Sequence, residues 1–145
     1  MKRAPRLLLI DDDDAVIRIL GESLKAEGFE VIGMTCPPTY ICDVDAVVTD
    51  LRLEDTDGAE TLEAVMAAAP GKPVVVLSGL VTPPRREQAI LAGAEAVVEK
   101  GEDPRVLVVA IREALARRRR AINPEAALAL AKGVIAELRL LRAAC

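Results

Sequence analysis

The chain has 145 residues, about the length of one domain, with 52% hydrophobic residues and a formal net charge of −4. One Phe, one Tyr and no Trp leave no aromatic platform for stacking single-stranded nucleic acid, and the absence of His removes imidazole acid–base chemistry and the commonest metal ligand. The apolar run Leu7–Ile10 is far too short to span a membrane, and Met1-Lys2-Arg3 is followed by no long apolar segment of the kind a secretory leader needs, so a cytoplasmic location and no membrane contact are expected. Cys36, Cys42 and Cys145 lack metal-binding spacing and read as free thiols in a reducing compartment. The net charge hides an asymmetry. Residues 1–116 carry 12 basic and 21 acidic side chains, a net of −9, whereas residues 117–145 carry 7 and 2, a net of +5.

Leu7–Ile10 reads as a short buried strand that stops at the acidic run Asp11 to Asp14. Asp14 is the expected cap of the helix that follows. Val16, Ile19, Leu20 and Leu24 are its expected apolar face, and Gly28 its stop. Phe29–Met34, Ala46–Thr49, Pro73–Leu77 and Ala94–Glu99 are the next four strands. Leu62, Val65, Met66 and Ala69 mark a helix between the third and fourth strands. Ala89 and Ile90 mark another before Gly93. Asp103-Pro104 opens a last helix with the face Leu107, Val108, Ile111 and Leu115. Only Thr35–Asp45 separates the second and third strands, and it contains Pro37-Pro38, so the helix expected there is stunted or missing, with room for one turn at Thr39–Asp43.

Buried strands alternating with helices predict a parallel sheet covered on both faces, with right-handed crossovers. In such sheets a site forms beyond the carboxyl ends of the strands. Asp11 and Asp12 end the first strand, Asp50 the third, Ser78 the fourth and Lys100 the fifth. Taken singly, Asp57-Gly58 is a turn, Ser78-Gly79 a loop, Lys100 a solvated cation and Asp11–Asp14 a solvated loop with a helix cap. Their placement on one rim is what points to chemistry. Crowded carboxylates repel by ~4 kcal/mol at ~4 Å, and they share protons or take a cation. Oxygen donors without His or Cys suit magnesium. An aspartate such as Asp50 can carry a covalent phosphoryl group, whose oxygens then need a cation (Lys100) and a hydroxyl donor (Ser78).

The strings Leu8-Leu9-Ile10-Asp11-Asp12-Asp13, Asp50-Leu51-Arg52-Leu53 with Asp57-Gly58, Val74-Val75-Val76-Leu77-Ser78-Gly79, Ala92-Gly93-Ala94 and Lys100 resemble the receiver domain of bacterial two-component response regulators, the CheY-like family, over residues 6 to about 116. The resemblance implies a flavodoxin-like, doubly wound α/β fold, a five-stranded parallel sheet of order 2-1-3-4-5. It also implies that Asp50 is the phosphoacceptor. Asp11, Asp12, Asp50 and the backbone carbonyl of Arg52 would hold Mg2+, with Ser78 and Lys100 contacting the phosphoryl group. The activity implied is that of a phosphorelay switch rather than an enzyme acting on other molecules. A sensor histidine kinase or phosphotransfer protein would be the donor, and an unknown output protein the reader. A second copy of the chain could dock through the helices flanking the fifth strand or through the C-terminal helix. Glu54 and Gly101 stand where family members commonly have Pro, and Val97 where many have an aromatic switch residue. Arg52 and Leu80 flank the site and suggest slow loss of the phosphate.

Residues 1–121 are expected to form the receiver and 122–145 a basic, amphipathic C-terminal helical extension. Arg117–Arg120 run into an Asn123-Pro124 break, after which Leu128, Ala131, Ile135, Leu138 and Leu141 recur at helical spacing. A tail of this length is too short for a DNA-binding output domain: nucleic acid is not the expected partner of this chain, and output through protein contact is expected if the chain stands alone, whereas an excised receiver leaves a separate output domain open. Two other readings compete: a pseudo-receiver that binds partners without phosphate, and a haloacid-dehalogenase-type phosphatase with Asp11 as nucleophile.

Overall fold

The computed structural model describes residues 2–52, 56–122, 125, 128–129, 131–133, 135–136 and 139. Glu54, the Asn123-Pro124 break, Leu138, Leu141 and Cys145 lie outside the described residues, as do the side chains of Thr56, Asp57 and Ile122. The chain divides into two compact units, Met1–Leu115 and Ala116–Cys145.

In the first unit the elements alternate. They run β1 (Arg6–Ile10), α1 (Asp14–Ala26), β2 (Glu30–Met34), β3 (Ala46–Asp50), α2 (Thr56–Ala68), β4 (Val74–Ser78), α3 (Pro83–Leu91), β5 (Ala96–Glu99) and α4 (Pro104–Ile122), the last extending into the second unit. The sheet is parallel throughout, in the order β2-β1-β3-β4-β5. Its register aligns Leu7 with both Val31 and Ala46, Val48 with Val75, and Val76 with Val97.

Because side chains alternate along a strand, the continuous apolar runs feed two cores. Leu7, Leu9, Val48 and Val75 pack on one face with Leu24, Leu107 and Ile111. Leu8, Ile10, Val47 and Val76 pack on the other with Leu62, Val65 and Ala89. Strand ends differ from expectation by a residue or two. Asp50 and Ser78 are the last ladder residues of β3 and β4, because Asp50 pairs with Leu77 and Ser78 with Glu99.

Two expectations for α1 are corrected. The cap is Asp13, whose carboxylate accepts from the Ala15 N–H at 2.9 Å, so Asp14 becomes the first helical residue. The packed stripe is Ile17, Leu20, Gly21 and Leu24, spaced i, i+3, i+4, i+7, and it leaves Ile19 63% exposed. Gly28, at φ 96°, closes the helix in the left-handed conformation that glycine adopts without strain.

No helix forms between β2 and β3; residues 35–45 have bends and no regular secondary structure. The possible turn at Thr39–Asp43 is therefore absent. The segment is nevertheless tied down. Ile41 N–H donates to Ala68 O at 2.8 Å, Asp45 N–H to Arg6 O at 2.7 Å, and Arg6 N–H to the Asp45 carboxylate at 2.8 Å. Val44 is 1% exposed and plugs the core where a helix would have packed. The Arg6 guanidinium bonds Glu30 and Asp43 across the same corner.

In the second unit the described residues beyond Ile122 are helical and exposed, Leu128 and Ile135 among them. Among the described residues, no helix is long and apolar enough to cross a membrane.

Candidate functional site at the carboxyl rim of the sheet

The five strands end together, and the parallel arrangement gathers their terminal residues. Asp11 follows β1; its N–H donates to Met34 O at 3.2 Å, fixing it to the rim. Leu51 N–H donates to Leu77 O at 2.9 Å, and Lys100 N–H to Ser78 O at 2.8 Å. The sequence-predicted groups Asp11, Asp12, Asp50 and Lys100 are thereby brought together, with Ser78 at the same edge.

Asp11 is 2% exposed, and both of its oxygens are engaged. One accepts from the Asp13 N–H at 2.9 Å, the other from the Lys100 ammonium at 3.2 Å. Asp50 stands more open and takes the same ammonium at 2.9 Å. Each of Asp11, Asp12 and Asp50 offers a carboxylate oxygen, and these three atoms all lie within 4.8 Å of one another. Two like charges at that separation cost ~3.5 kcal/mol at an effective dielectric near 20. One lysine neutralises one of three charges. Hard oxygen donors, an excess of negative charge and an open edge fit a divalent cation such as Mg2+, which accepts few protein ligands and keeps water. Arg52, two residues beyond Asp50 on the same rim, is exposed.

Burial works against the charge on Lys100, but hydrogen bonds and attraction from Asp50 and Asp11 outweigh it, and its pKa is raised above the ordinary 10.5. Lys100 is therefore a fixed cation at neutral pH. Ser78 is fully buried, and its hydroxyl donates to Leu80 O at 3.4 Å, the long end of hydrogen bonding. So weak a partner leaves the hydroxyl available to a better acceptor. Two contributors were not visible in the sequence. Glu99 accepts from the Val81 N–H at 3.2 Å, and the Arg86 guanidinium donates to Val97 O at 2.6 Å. Neither has a local signal; each depends on which strand lies beside which helix.

A doubly wound parallel sheet with an acidic, lysine-bridged rim defines a receiver-type signalling domain. The sequence profile of the response regulator receiver domain matches residues 7–112. The chain belongs to that family, whose members are phospho-accepting signalling switches that bind Mg2+ in an acidic pocket and interact with histidine kinases and output domains.

Among its relatives, the transcriptional regulatory protein FixJ of Azorhizobium caulinodans is 31% identical over 114 residues, covering 75% of this chain and 54% of that protein. The transcriptional regulatory protein GlrR of Escherichia coli is also 31% identical over 114 residues, covering 75% of this chain and 26% of that protein. The chain thus spans from about a quarter to about half the length of these relatives. A CheY-like response regulator receiver domain from Methanospirillum hungatei superposes with a TM-score of 0.69 at 26% identity, covering 81% of this chain and 98% of that one.

Proposed function

We propose that the chain accepts a phosphoryl group on Asp50 and passes the resulting change in its surface to a partner protein. The observation that carries this reading is the Lys100 ammonium seated between Asp50 at 2.9 Å and Asp11 at 3.2 Å, over a cluster of three carboxylates. An Asp50 oxygen attacks the phosphorus of a phosphohistidine on a sensor histidine kinase or phosphotransfer protein. The P–N bond breaks, its electron pair leaves with the imidazole nitrogen, and a P–O bond forms. Asp11, Asp12, Asp50 and the Arg52 carbonyl would hold Mg2+, which supplies positive charge to the phosphoryl oxygens when bound. Lys100 exchanges its contact with Asp50 for one with the phosphoryl group, and Ser78 gives up Leu80 O to donate to it.

The reaction ends on the protein itself, so the chain is a switch rather than an enzyme for other substrates. The donor protein has a docking surface beside the acceptor. A groove of about 340 Å³ runs between α1 and the loop entering α4, lined by Val16, Ile19, Leu20, Lys100, Pro104 and Leu107. The exposed Ile19 supplies an apolar anchor there. Residues 1–121 act as the receiver and 122–145 as a helical extension. An output protein or a second copy reads the change at α3, β5 and α4. The exposed thiols of Cys36 and Cys42 fit the reducing cytoplasm.

A phosphatase using Asp11 is disfavoured by the burial of that carboxylate and the engagement of both its oxygens. Labelled acetyl phosphate with Mg2+ tests the reading. Label on Asp50, lost in Asp50→Asn, is expected. Label on Asp11 would establish the phosphatase reading, and no label with an intact fold would establish a pseudo-receiver.

A further inference from the structure

We infer that Glu99 is a positioning residue of this switch, whose carboxylate holds the loop between β4 and α3 in its resting place. The inference rests on Asp50 being the acceptor and Ser78 the hydroxyl drawn toward it. That loop, Gly79–Thr82, is loosely tied by its own residues. Ser78 Oγ reaches Leu80 O only at 3.4 Å. Thr82 caps α3 without a side-chain hydrogen bond, and Pro83 and Pro84 bring no N–H to the first turn. Leu80 is half exposed, and nothing lies within 4 Å of where a Gly79 Cβ would stand.

Against this slack, Glu99 Oε1 accepts the Val81 N–H at 3.2 Å in a partly buried, charge-assisted bond. The register explains the reach. Glu99 pairs with Ser78 across the β4–β5 ladder, so its side chain leaves β5 beside the point where the loop departs. Four residues past Thr82, the Arg86 guanidinium ties α3 to the same strand through Val97 O at 2.6 Å.

When the Ser78 hydroxyl turns to a phosphoryl group, it must leave Leu80 O and the loop must follow. The Val81–Glu99 bond is then the next one that must stretch. Glu99 therefore biases the equilibrium toward the resting loop, by no more than the difference in strength of that bond between the two arrangements.

The test is a titration of the full chain with beryllofluoride and Mg2+, followed by backbone amide signals. Glu99→Ala should reach half-saturation at about 3- to 10-fold lower beryllofluoride than wild type, the range given by the net worth of one ordinary hydrogen bond, since solvent access weakens the charge assistance. Glu99→Gln keeps the acceptor oxygen and loses the charge; it should stay within about twofold of wild type, since a neutral acceptor replaces the bond at modest loss. Unchanged or weaker binding in Glu99→Ala would overturn the inference. Equal tightening in Glu99→Gln would overturn it too, because relief of repulsion between Glu99 and an anion would then be the cause. A wild-type chain that gives no amide shift removes the Asp50 reading along with the inference, whereas a normal wild-type response with an unresponsive Glu99→Ala removes the inference alone.

Discussion

Lys100→Met offers the most direct measure of what the lysine does before any phosphate arrives. The ammonium lies 2.9 Å from Asp50 and 3.2 Å from Asp11. At an effective dielectric near 20, each contact has a gross attraction of ~5–6 kcal/mol. Most of that is offset by desolvation, and the lysine side chain, 35% exposed, is partly screened by water. A net loss of roughly 1–3 kcal/mol is expected in metal-free buffer at pH 7, with Asp11 left buried beside two like charges. A divalent cation should refill the role. Millimolar Mg2+ should restore most of the lost stability in Lys100→Met and add less to wild type, because in wild type the lysine competes for the same oxygens. Urea unfolding followed by circular dichroism, with and without Mg2+, reads both quantities. The pH dependence adds a sign. A lysine whose folded pKa is raised contributes fully below its unfolded value of 10.5, and the contribution is lost as pH rises through the raised value. The wild-type advantage should hold from pH 7 to 9 and fade only at more alkaline pH. Equal urea midpoints in metal-free buffer, or equal stabilisation of both proteins by Mg2+, would refute the view that Lys100 compensates the carboxylates.

Three further outcomes are expected. Gly33→Ala should destabilise by about 1–3 kcal/mol in urea unfolding, because a Cβ there would sit 2.3 Å from the Ile17 Cγ2 that packs α1 against β2; Ile17→Ala in the same background should recover part of the loss. The aspartyl phosphate should survive for minutes or longer at neutral pH, since Leu80 presents no polar group to place water and the Arg52 side chain stands exposed on the rim; decay within seconds after removal of the donor would contradict this. At the acid end, the Arg105 guanidinium and N–H hold Asp103 at about 2 rather than 3.8, so its contribution to the start of α4 is present above 3.8 and lost as pH falls through about 2. Asp103→Asn should flatten the stability profile across that window, as measured by thermal unfolding at stepped pH.

The sheet was legible because its strands are continuous apolar runs, and such runs with helical spacers leave few arrangements. The rim followed from the sheet: parallel strands must end on one side, so Asp11, Asp50, Ser78 and Lys100 had to converge once the strands were found. Finer features were less legible for identifiable reasons. In the run Asp11–Asp14, capping is decided by backbone angles rather than residue type, and Asp13, not Asp14, has the extended conformation from which a carboxylate reaches the Ala15 amide. Ile19 belongs to the apolar pattern of α1, yet the neighbouring stripe from Ile17 to Leu24 packs better against the sheet and turns Ile19 to solvent. The shortness of the connection after β2 was visible in Pro37-Pro38, but the filling of the gap by Val44 and the Ile41–Ala68 bond depends on contacts distant in sequence.

The coupling from site to surface lies furthest from sequence. Val97 is 3% exposed and spends its side chain in the core opposite Val76. A β-branched aliphatic there has a stiff χ1 and no polar tip, so it cannot report the state of Asp50 by swinging outward. The strand still offers its backbone, and Arg86 binds the Val97 carbonyl while Glu99 binds the Val81 amide. Both ties run from β5 to the segment that starts at Ser78. On the proposed reading, a change at the hydroxyl would pass to α3 by stretching these polar contacts rather than by flipping a ring. Arg86→Ala should accordingly free α3 from β5 without altering the carboxylate cluster. The expected signature is faster amide exchange confined to α3 and to the loop before it, with Mg2+ affinity unchanged. Exchange that spreads through β1 and β3, or a shifted Mg2+ affinity, would mean that Arg86 supports the fold or the metal site and that the ties to β5 are not a separate path.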